Sequence, residues 1–128
     1  DESGTLAGTA LWSPTSQIAL RFVSRDRIAL DTPFWHARVA AAAQYRVALA
    51  PDATAYRLIH AEADGLPSLI VDRYGDYLVV QLLSAGLETF RAPIIAALLE
   101  TCAYHARTLA ATASGKVSAR RSIAAMPA

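Results

Sequence analysis

Four carboxylates stand close together in the middle of this 128-residue chain. They are Glu62, Asp64, Asp72 and Asp76, and the pattern places them on two neighbouring turns. Oxygen ligands at this density can bind a hard cation. Alternatively, Asp64 and Asp76 form the turns, and Glu62 or Asp72 pairs with a nearby arginine, namely Arg46, Arg57 or Arg73. The second interpretation needs no ligand, and we predict no metal site.

One ion pair can be predicted more specifically. Arg46 shares a helix face with Trp35 and Val39. A half-buried charge without a partner is costly, so this arginine needs a carboxylate. Glu62 or Asp64 is the expected partner, and the pair would tie the helix to the strands that follow it.

Residue types that often carry catalysis are few. His36, His60 and His105 lie far apart and lack metal-ligand spacing, so we interpret them as structural or surface residues. Cys102 is the single cysteine; its local sequence offers no activating partner, and no internal disulfide can form. We predict no catalytic residue in this chain.

The glycines indicate no nucleotide cradle. None of the six approaches the Gly-x-Gly spacing that lets backbone donors wrap a phosphate after a strand. We therefore expect no cofactor site in this chain.

The first part of the chain predicts a hairpin and a helix. Residues 5–12 and 17–23 alternate apolar and polar positions around a Ser-Pro-Thr-Ser turn, and residues 27–30 are expected to add a short strand. A helix capped by Asp31 or Thr32 then runs to about residue 49. Its apolar face is expected to comprise Trp35, Val39, Ala42 and Leu49.

The second part predicts a meander and another helix. Residues 56–60, 69–74 and 77–83 are rich in Leu, Ile, Val and Tyr, and Gly75 and Asp76 form a two-residue turn. Helical spacing then extends from Leu87 to about residue 103, with Pro93 near the first turns. The last 25 residues sustain no period, so residues 104–128 are expected to be irregular or disordered.

Charge and hydropathy narrow the class of protein to which this chain can belong. The net charge is +1, but four cations and no acid follow Glu100. Such a tail is drawn toward phosphates, or is simply solvated. No apolar run is long enough for a membrane span, and the first residues lack a secretory signal, so we expect a cytoplasmic protein with no membrane partner.

Several short segments, taken together, resemble a known family. They are residues 57–59 (Arg-Leu-Ile), 62–67 (Glu-Ala-Asp-Gly-Leu-Pro), 72–76 (Asp-Arg-Tyr-Gly-Asp) and 81–86 (Gln-Leu-Leu-Ser-Ala-Gly). In this order and spacing they resemble the N-terminal half of bacterial S-adenosylmethionine-dependent large-subunit rRNA cytosine-5 methyltransferases. Residues 8–18 resemble the closing hairpin of the RNA-binding PUA barrel in that family.

The resemblance implies three regions. Residues 1–31 would be the end of a PUA-like barrel, residues 32–103 a small α/β domain, and residues 104–128 the irregular tail. The fold class is therefore α+β: an incomplete PUA-like hairpin, one helix, a three-stranded antiparallel meander and a second helix. S-adenosylmethionine and the attacking thiolate would belong to a catalytic domain that these 128 residues do not contain.

The expected function is accordingly non-catalytic. The chain would be an N-terminal fragment of an rRNA methyltransferase-like protein, at most positioning rRNA. The candidate contacts are Arg21, Arg57, Arg73, Lys116, Arg120 and Arg121. The alternative is a structural module without an RNA role, which could form a homodimer through an unpaired β edge.

Three departures from the family pattern affect these expectations. The first part of the PUA barrel is absent, which would leave the strands of residues 5–30 without most of their partners. Ser68 stands where the family usually has glycine, so the loop is expected to be tighter or differently bent. After residue 99 the match fades to an echo at residues 104–107 (Tyr-His-Ala-Arg). A truncated or frame-shifted reading frame would explain both this loss and the composition of the tail.

Overall fold

The fold is α+β, as the sequence predicts. The computed structural model describes residues 2–50 and 52–102, and the backbone of residues 108–111 and 117–120. The strands are β1 (Thr9–Trp12), β2 (Leu20–Ser24), β3 (Ala55–His60), β4 (Leu69–Tyr74), β5 (Tyr77–Leu82), β6 (Thr108–Ala111) and β7 (Val117–Arg120). The helices are α1 (Thr32–Leu49), α2 (Ala85–Glu88) and α3 (Arg91–Cys102), and a 3-10 helix spans Ala61–Asp64.

The predicted first hairpin is confirmed as the antiparallel pair β1 and β2, in which Trp12 lies opposite Leu20. Alternation gives the hairpin two faces: Leu11 and Val23 are buried, while Trp12 is exposed. The short strand expected at residues 27–30 is not formed. Ile28 donates its N–H to the hydroxyl of Thr9 instead of entering a ladder.

Helix α1 begins as predicted. The Asp31 carboxylate accepts the Phe34 N–H at 3.0 Å, and a proline occupies the first turn, where its missing donor costs nothing. Of the predicted core face, Trp35, Val39 and Ala42 are buried. The prediction for Leu49 is wrong: it is 63% exposed, because Arg46 makes the inward contacts of the last turn.

The predicted meander is confirmed as β3, β4 and β5, which pair antiparallel in sequence order. The turn at Gly75 has φ of +58°, a conformation that glycine adopts without strain. The sheet is larger than expected, because β6 pairs parallel to β5 and β7 pairs antiparallel to β6.

This extension corrects the expectation for residues 104–128. Eight of them, 108–111 and 117–120, are strands rather than irregular chain. Strand pairing uses backbone donors and acceptors, so it can form without the side-chain alternation that sequence reasoning looks for. The rest of that expectation lies outside the described residues, and the division into three regions stays a prediction.

The second predicted helix is divided in two. Ser84 caps α2 through its hydroxyl, which accepts the Leu87 N–H at 3.3 Å. Helix α3 then begins at Arg91, and Pro93 lies in its first turn, as predicted. In the described part of the chain, no helix has the length and apolar character needed to span a membrane.

Trp35 lies at the centre of the core, 1% exposed. Its ring packs edge-on to Phe34, with centroids 5.0 Å apart, and lies 5.1 Å from the ring of Phe90, just before α3. Its indole N–H is satisfied by the Leu30 carbonyl at 3.2 Å, as a buried tryptophan requires. The tryptophan thereby joins α1 to both the hairpin connection and the second helical region.

The hairpin docks closely on α2. Gly86 donates its N–H to the Ser13 hydroxyl at 3.0 Å. A Cβ atom at Gly86 would lie 2.5 Å from the Trp12 carbonyl oxygen, so only glycine permits this approach.

Ser68 adopts a backbone conformation that favours glycine. Its φ is +67°, and its side chain is buried. Its carbonyl accepts the Leu83 N–H at 2.9 Å, which fixes the loop against the end of β5. Ser68 therefore sits in the left-handed region, where a side chain costs free energy.

We expect Ser68→Gly to raise the free energy of unfolding by about 1 kcal/mol, because relief of the left-handed strain exceeds the cost of glycine's freedom in the unfolded chain. Ser84→Gly is the matched control, since Ser84 is equally buried but has φ of −145° and caps α2. It should lower stability by about 0.5–1 kcal/mol. Urea unfolding followed by circular dichroism measures both, and a loss of stability in both variants would contradict the strain argument.

Candidate nucleic-acid interface

Arg46 and Asp64 form a largely buried ion pair. The guanidinium Nη2 lies 2.7 Å from the Asp64 Oδ2, and the two side chains are 15% and 10% exposed. Arg46 also donates Nε–H to the Arg57 carbonyl at 3.0 Å, and Asp64 accepts the His60 N–H at 2.6 Å. The pair thus fastens α1 to the end of β3 and to the 3-10 helix, and Asp64 rather than Glu62 supplies the carboxylate.

Two of the predicted RNA contacts are engaged within the protein. Arg57 pairs in bidentate fashion with Asp72, at 2.8 and 3.2 Å. The hydrogen bond to Asp72, with its charge, raises the pKa of the Arg57 guanidinium. Arg73 donates to the Gly75 carbonyl at 2.9 Å and to the Tyr56 hydroxyl at 3.0 Å. Binding a phosphate at either arginine would compete with these bonds.

Arg21 is placed differently. It projects from β2 over the end of the meander, where it lines a cleft of about 540 Å³. One of its N–H groups donates to the Ile18 carbonyl at 2.9 Å, which leaves other donors of the fork for a ligand. The cleft is lined by Ile18, Arg21, His60, Ala61, Glu62, Ala63, Ser68, Ile70 and Leu83.

The remaining predicted contacts belong to the tail. Arg120 is the last residue of β7, where the structure describes the backbone alone. Lys116 and Arg121 lie outside the described residues. Their roles in RNA contact stay predictions.

The four carboxylates are not brought together. Asp64 and Asp72 are used by Arg46 and Arg57, Asp76 is exposed at the β4–β5 turn, and Glu62 lines the cleft. Among the residues described, no group of three or more His, Cys, Asp or Glu side chains is placed to hold a metal ion.

The histidines and the cysteine have distinct surroundings. His36 Nδ1 lies 3.3 Å from the Glu100 carboxylate, between α1 and α3.

Desolvation by burial raises the pKa of the Cys102 thiol, and the charge of Arg73 opposes this with a smaller effect. The cysteine is therefore a poor nucleophile at neutral pH. His105 lies outside the described residues.

His60 is the functional candidate that sequence reasoning missed. It joins Arg21 in the cleft although 38 residues separate them. Its position follows from strand pairing, since it lies opposite Ile70, another residue of the cleft wall. Linear spacing carries no signal of this juxtaposition.

The glycines of the described chain do not form a cradle for S-adenosylmethionine. Each is explained by packing or by a turn: Gly8 and Gly86 adjoin backbone, Gly65 adjoins the Arg38 side chain, and Gly4 and Gly75 have positive φ facing open space. No glycine lines the cleft. The described glycines therefore supply no turn that could wrap the cofactor.

We expect Asp64→Asn to lower the free energy of unfolding by about 2 kcal/mol, because it leaves the buried Arg46 charge without a counter-ion. Asp76→Asn makes the same chemical change at an exposed turn and should alter stability by less than about 0.5 kcal/mol. Equilibrium denaturation measures both. Equal effects of the two substitutions would show that the ion pair is not specifically stabilising.

Comparisons with known proteins identify close relatives for most of the chain. It is 46% identical over 101 residues to ribosomal RNA large subunit methyltransferase I of Erwinia tasmaniensis, a match that covers 77% of this chain and 26% of that protein. The protein of the same name from Salmonella paratyphi B is 44% identical over 105 residues, which are 80% of this chain and 26% of that protein. No protein-family model matches the sequence.

Solved structures show the same fold. A putative SAM-dependent methyltransferase from Streptococcus mutans superposes with a TM-score of 0.82 at 19% identity, covering 94% of this chain and 32% of that one. A putative methyltransferase complexed with SAH gives the same TM-score and identity over 93% of this chain.

The sequence relatives show that the chain is homologous to large-subunit rRNA methyltransferases over about four fifths of its length. It spans about a quarter of the length of those proteins.

Proposed function

We propose that this chain is a non-catalytic, RNA-positioning part of an rRNA methyltransferase-like protein. The supporting observation is the position of Arg21, a cation with donors to spare at the rim of a ligand-sized cleft. The relatives are named as rRNA methyltransferases, which makes rRNA the partner of choice. In this proposal the hairpin derives from a PUA-like barrel, the parent protein modifies cytosine at carbon 5, and the location is cytoplasmic.

Positioning suits the chemistry of the described residues. A guanidinium that contacts a phosphate fixes the register of an RNA without reading its sequence. Burial raises the pKa of the Cys102 thiol, which makes it a poor nucleophile for attack on a base. Methyl transfer in the parent protein is therefore assigned to residues beyond this chain.

We expect the chain to bind structured rRNA in filter binding at low salt, with affinity that falls as salt rises. Arg21→Gln should weaken binding about fivefold to tenfold, because it removes a charge-assisted contact to phosphate. Arg27→Gln is the matched control: Arg27 is exposed and carries the same charge, but it does not line the cleft. No detectable affinity at low salt would remove RNA contact from the function of this chain.

A second candidate function is self-association, which the outer face of the hairpin favours. Trp12, Leu20 and Phe22 are 64%, 54% and 55% exposed, and they share that face because Trp12 pairs with Leu20 and Phe22 with Ala10. Contiguous apolar surface of this kind marks interaction sites. In the described chain, β1 and β2 pair only with each other, so a second copy could add strands at an edge.

We expect sedimentation velocity to show a concentration-dependent dimer if this face associates, and Phe22→Ser to weaken that dimer about tenfold or more by removing buried aromatic area. Tyr45→Ser is the control, because Tyr45 is similarly exposed, at 57%, on α1. A monomer at every concentration, or equal effects of the two substitutions, would exclude association through the hairpin.

A further inference from the structure

We propose that the cleft between the hairpin and the meander binds one unstacked nucleotide of single-stranded RNA, with its phosphate at Arg21 and its base over the apolar floor. This inference rests on the proposed RNA contact and makes it specific. It assigns to one site the class of ligand, the orientation of the nucleotide in the cleft and the residues that contact it.

The size of the cleft fits such a ligand. At about 540 Å³ it lies within the roughly 300–1,000 Å³ of small-molecule sites. The end of the meander supplies one wall, with Ile70 from β4 and Leu83 just after β5. Ile18 approaches from the hairpin turn and is 60% exposed, while Leu83 is 45% exposed. These aliphatic side chains form an apolar slot against which the face of a base can pack.

The polar groups of the rim are arranged for a nucleotide rather than for a purely apolar ligand. Arg21 supplies the cation, and its guanidinium is anchored by the Ile18 carbonyl. His60 adds an imidazole plane at the mouth, a group on which unstacked bases commonly stack. Glu62 lines the same cleft, and its carboxylate opposes an incoming phosphate.

The wall beside the base is rigid before any ligand arrives. Asp64 holds the His60 N–H and the Arg46 guanidinium, and the Ala61 carbonyl accepts the Leu66 N–H at 3.1 Å. The Ser68 carbonyl accepts the Leu83 N–H. The loop that contains Ala61 and Ser68 therefore also holds Leu83, on the apolar side of the cleft. A pre-organised site loses less conformational entropy on binding than a flexible one.

The other arginines of the meander are poorer sites for the phosphate. Arg57 is held by a bidentate carboxylate, and Arg73 by the Gly75 carbonyl and the Tyr56 hydroxyl. Arg21 faces no carboxylate within salt-bridge distance among the described residues. The cleft is thus the place where a cation, an imidazole and an apolar slot coincide.

The test is a methyl-resolved NMR titration of the full chain with adenosine monophosphate, adenosine and inorganic phosphate. The nucleotide should shift the methyl signals of Ile18, Ile70 and Leu83. Arg21→Gln should weaken nucleotide binding about tenfold and leave adenosine binding unchanged, since only the phosphate contact is lost. Glu62→Gln should strengthen nucleotide binding about twofold to threefold by removing an opposing charge.

Arg27→Gln again serves as the control and should leave nucleotide binding unchanged. Glu62 is exposed and Arg21 is half-buried, and circular dichroism verifies that each variant is folded. Equal shifts with inorganic phosphate alone would reduce the site to an anion site and overturn the inference. Nucleotide shifts that fall outside the cleft, or none at all, would also overturn it.

The two proposals fail in different ways. If rRNA binding depends on Arg21 but the nucleotide leaves the cleft signals unchanged, the nucleotide inference falls and RNA positioning stands. If the nucleotide binds in the cleft but filter binding detects no rRNA, the cleft stands as a mononucleotide site, and its assignment to RNA falls together with RNA positioning. If neither ligand binds, both are wrong.

Discussion

The Arg46–Asp64 ion pair is the constraint on which the arrangement of the cleft depends. The guanidinium reaches the Arg57 carbonyl and the Asp64 carboxylate, and that carboxylate in turn holds the His60 N–H. One polar contact therefore sets α1, the end of β3 and the 3-10 helix relative to one another.

The second terminal nitrogen of Arg46, Nη1, is buried without a hydrogen-bond partner among the described residues. Burying charge in this way adds little net stability compared with an apolar pair, but breaking it is expensive. The pair therefore specifies a geometry more than it adds stability, and that geometry places His60, Glu62 and Ser68 along one wall.

The opposite wall depends on backbone contact. Gly86 lets α2 approach the Trp12 carbonyl, and the Ser13 hydroxyl accepts the Gly86 N–H. This contact packs the hairpin, which carries Ile18 and Arg21, against α2. The cleft is thus formed by two contacts distant from each other in sequence, one ionic and one steric. A two-stranded sheet is marginally stable alone, so its docking on α2 also keeps the hairpin folded.

The sequence was sufficient to predict the elements that follow from local periodicity. The hairpin, the capped helix α1 and the three-stranded meander repeat their side chains at the periods that strands and helices impose. Arg46 could also be anticipated, because a charge on an apolar helix face requires a counter-charge. Leu49 shows the limit of this reasoning: it has helical spacing, but the buried face of α1 ends at Ala42, and the next inward side chain is the charged Arg46. Strand β6 shows another, since backbone pairing along β5 leaves little trace in side-chain pattern.

The function of each arginine was beyond local reasoning, because it depends on strand register. Arg57 lies opposite Asp72, and this pairing is set by a loop containing the 3-10 helix and by a register shift between Arg57 and Ile59. No short turn fixes that register in advance, so the sequence could not show which cations were already neutralised.

The internal pairing of these arginines limits the strength and the salt dependence of RNA binding. Each phosphate contact contributes about 0.7 to the logarithmic salt slope for a single strand, so a chain whose meander arginines are internally paired has few such contacts to offer. Affinity from one cleft is necessarily modest, which agrees with the proposed positioning role. The site thus combines the Arg21 cation with a wall that the Arg46–Asp64 ion pair holds in place.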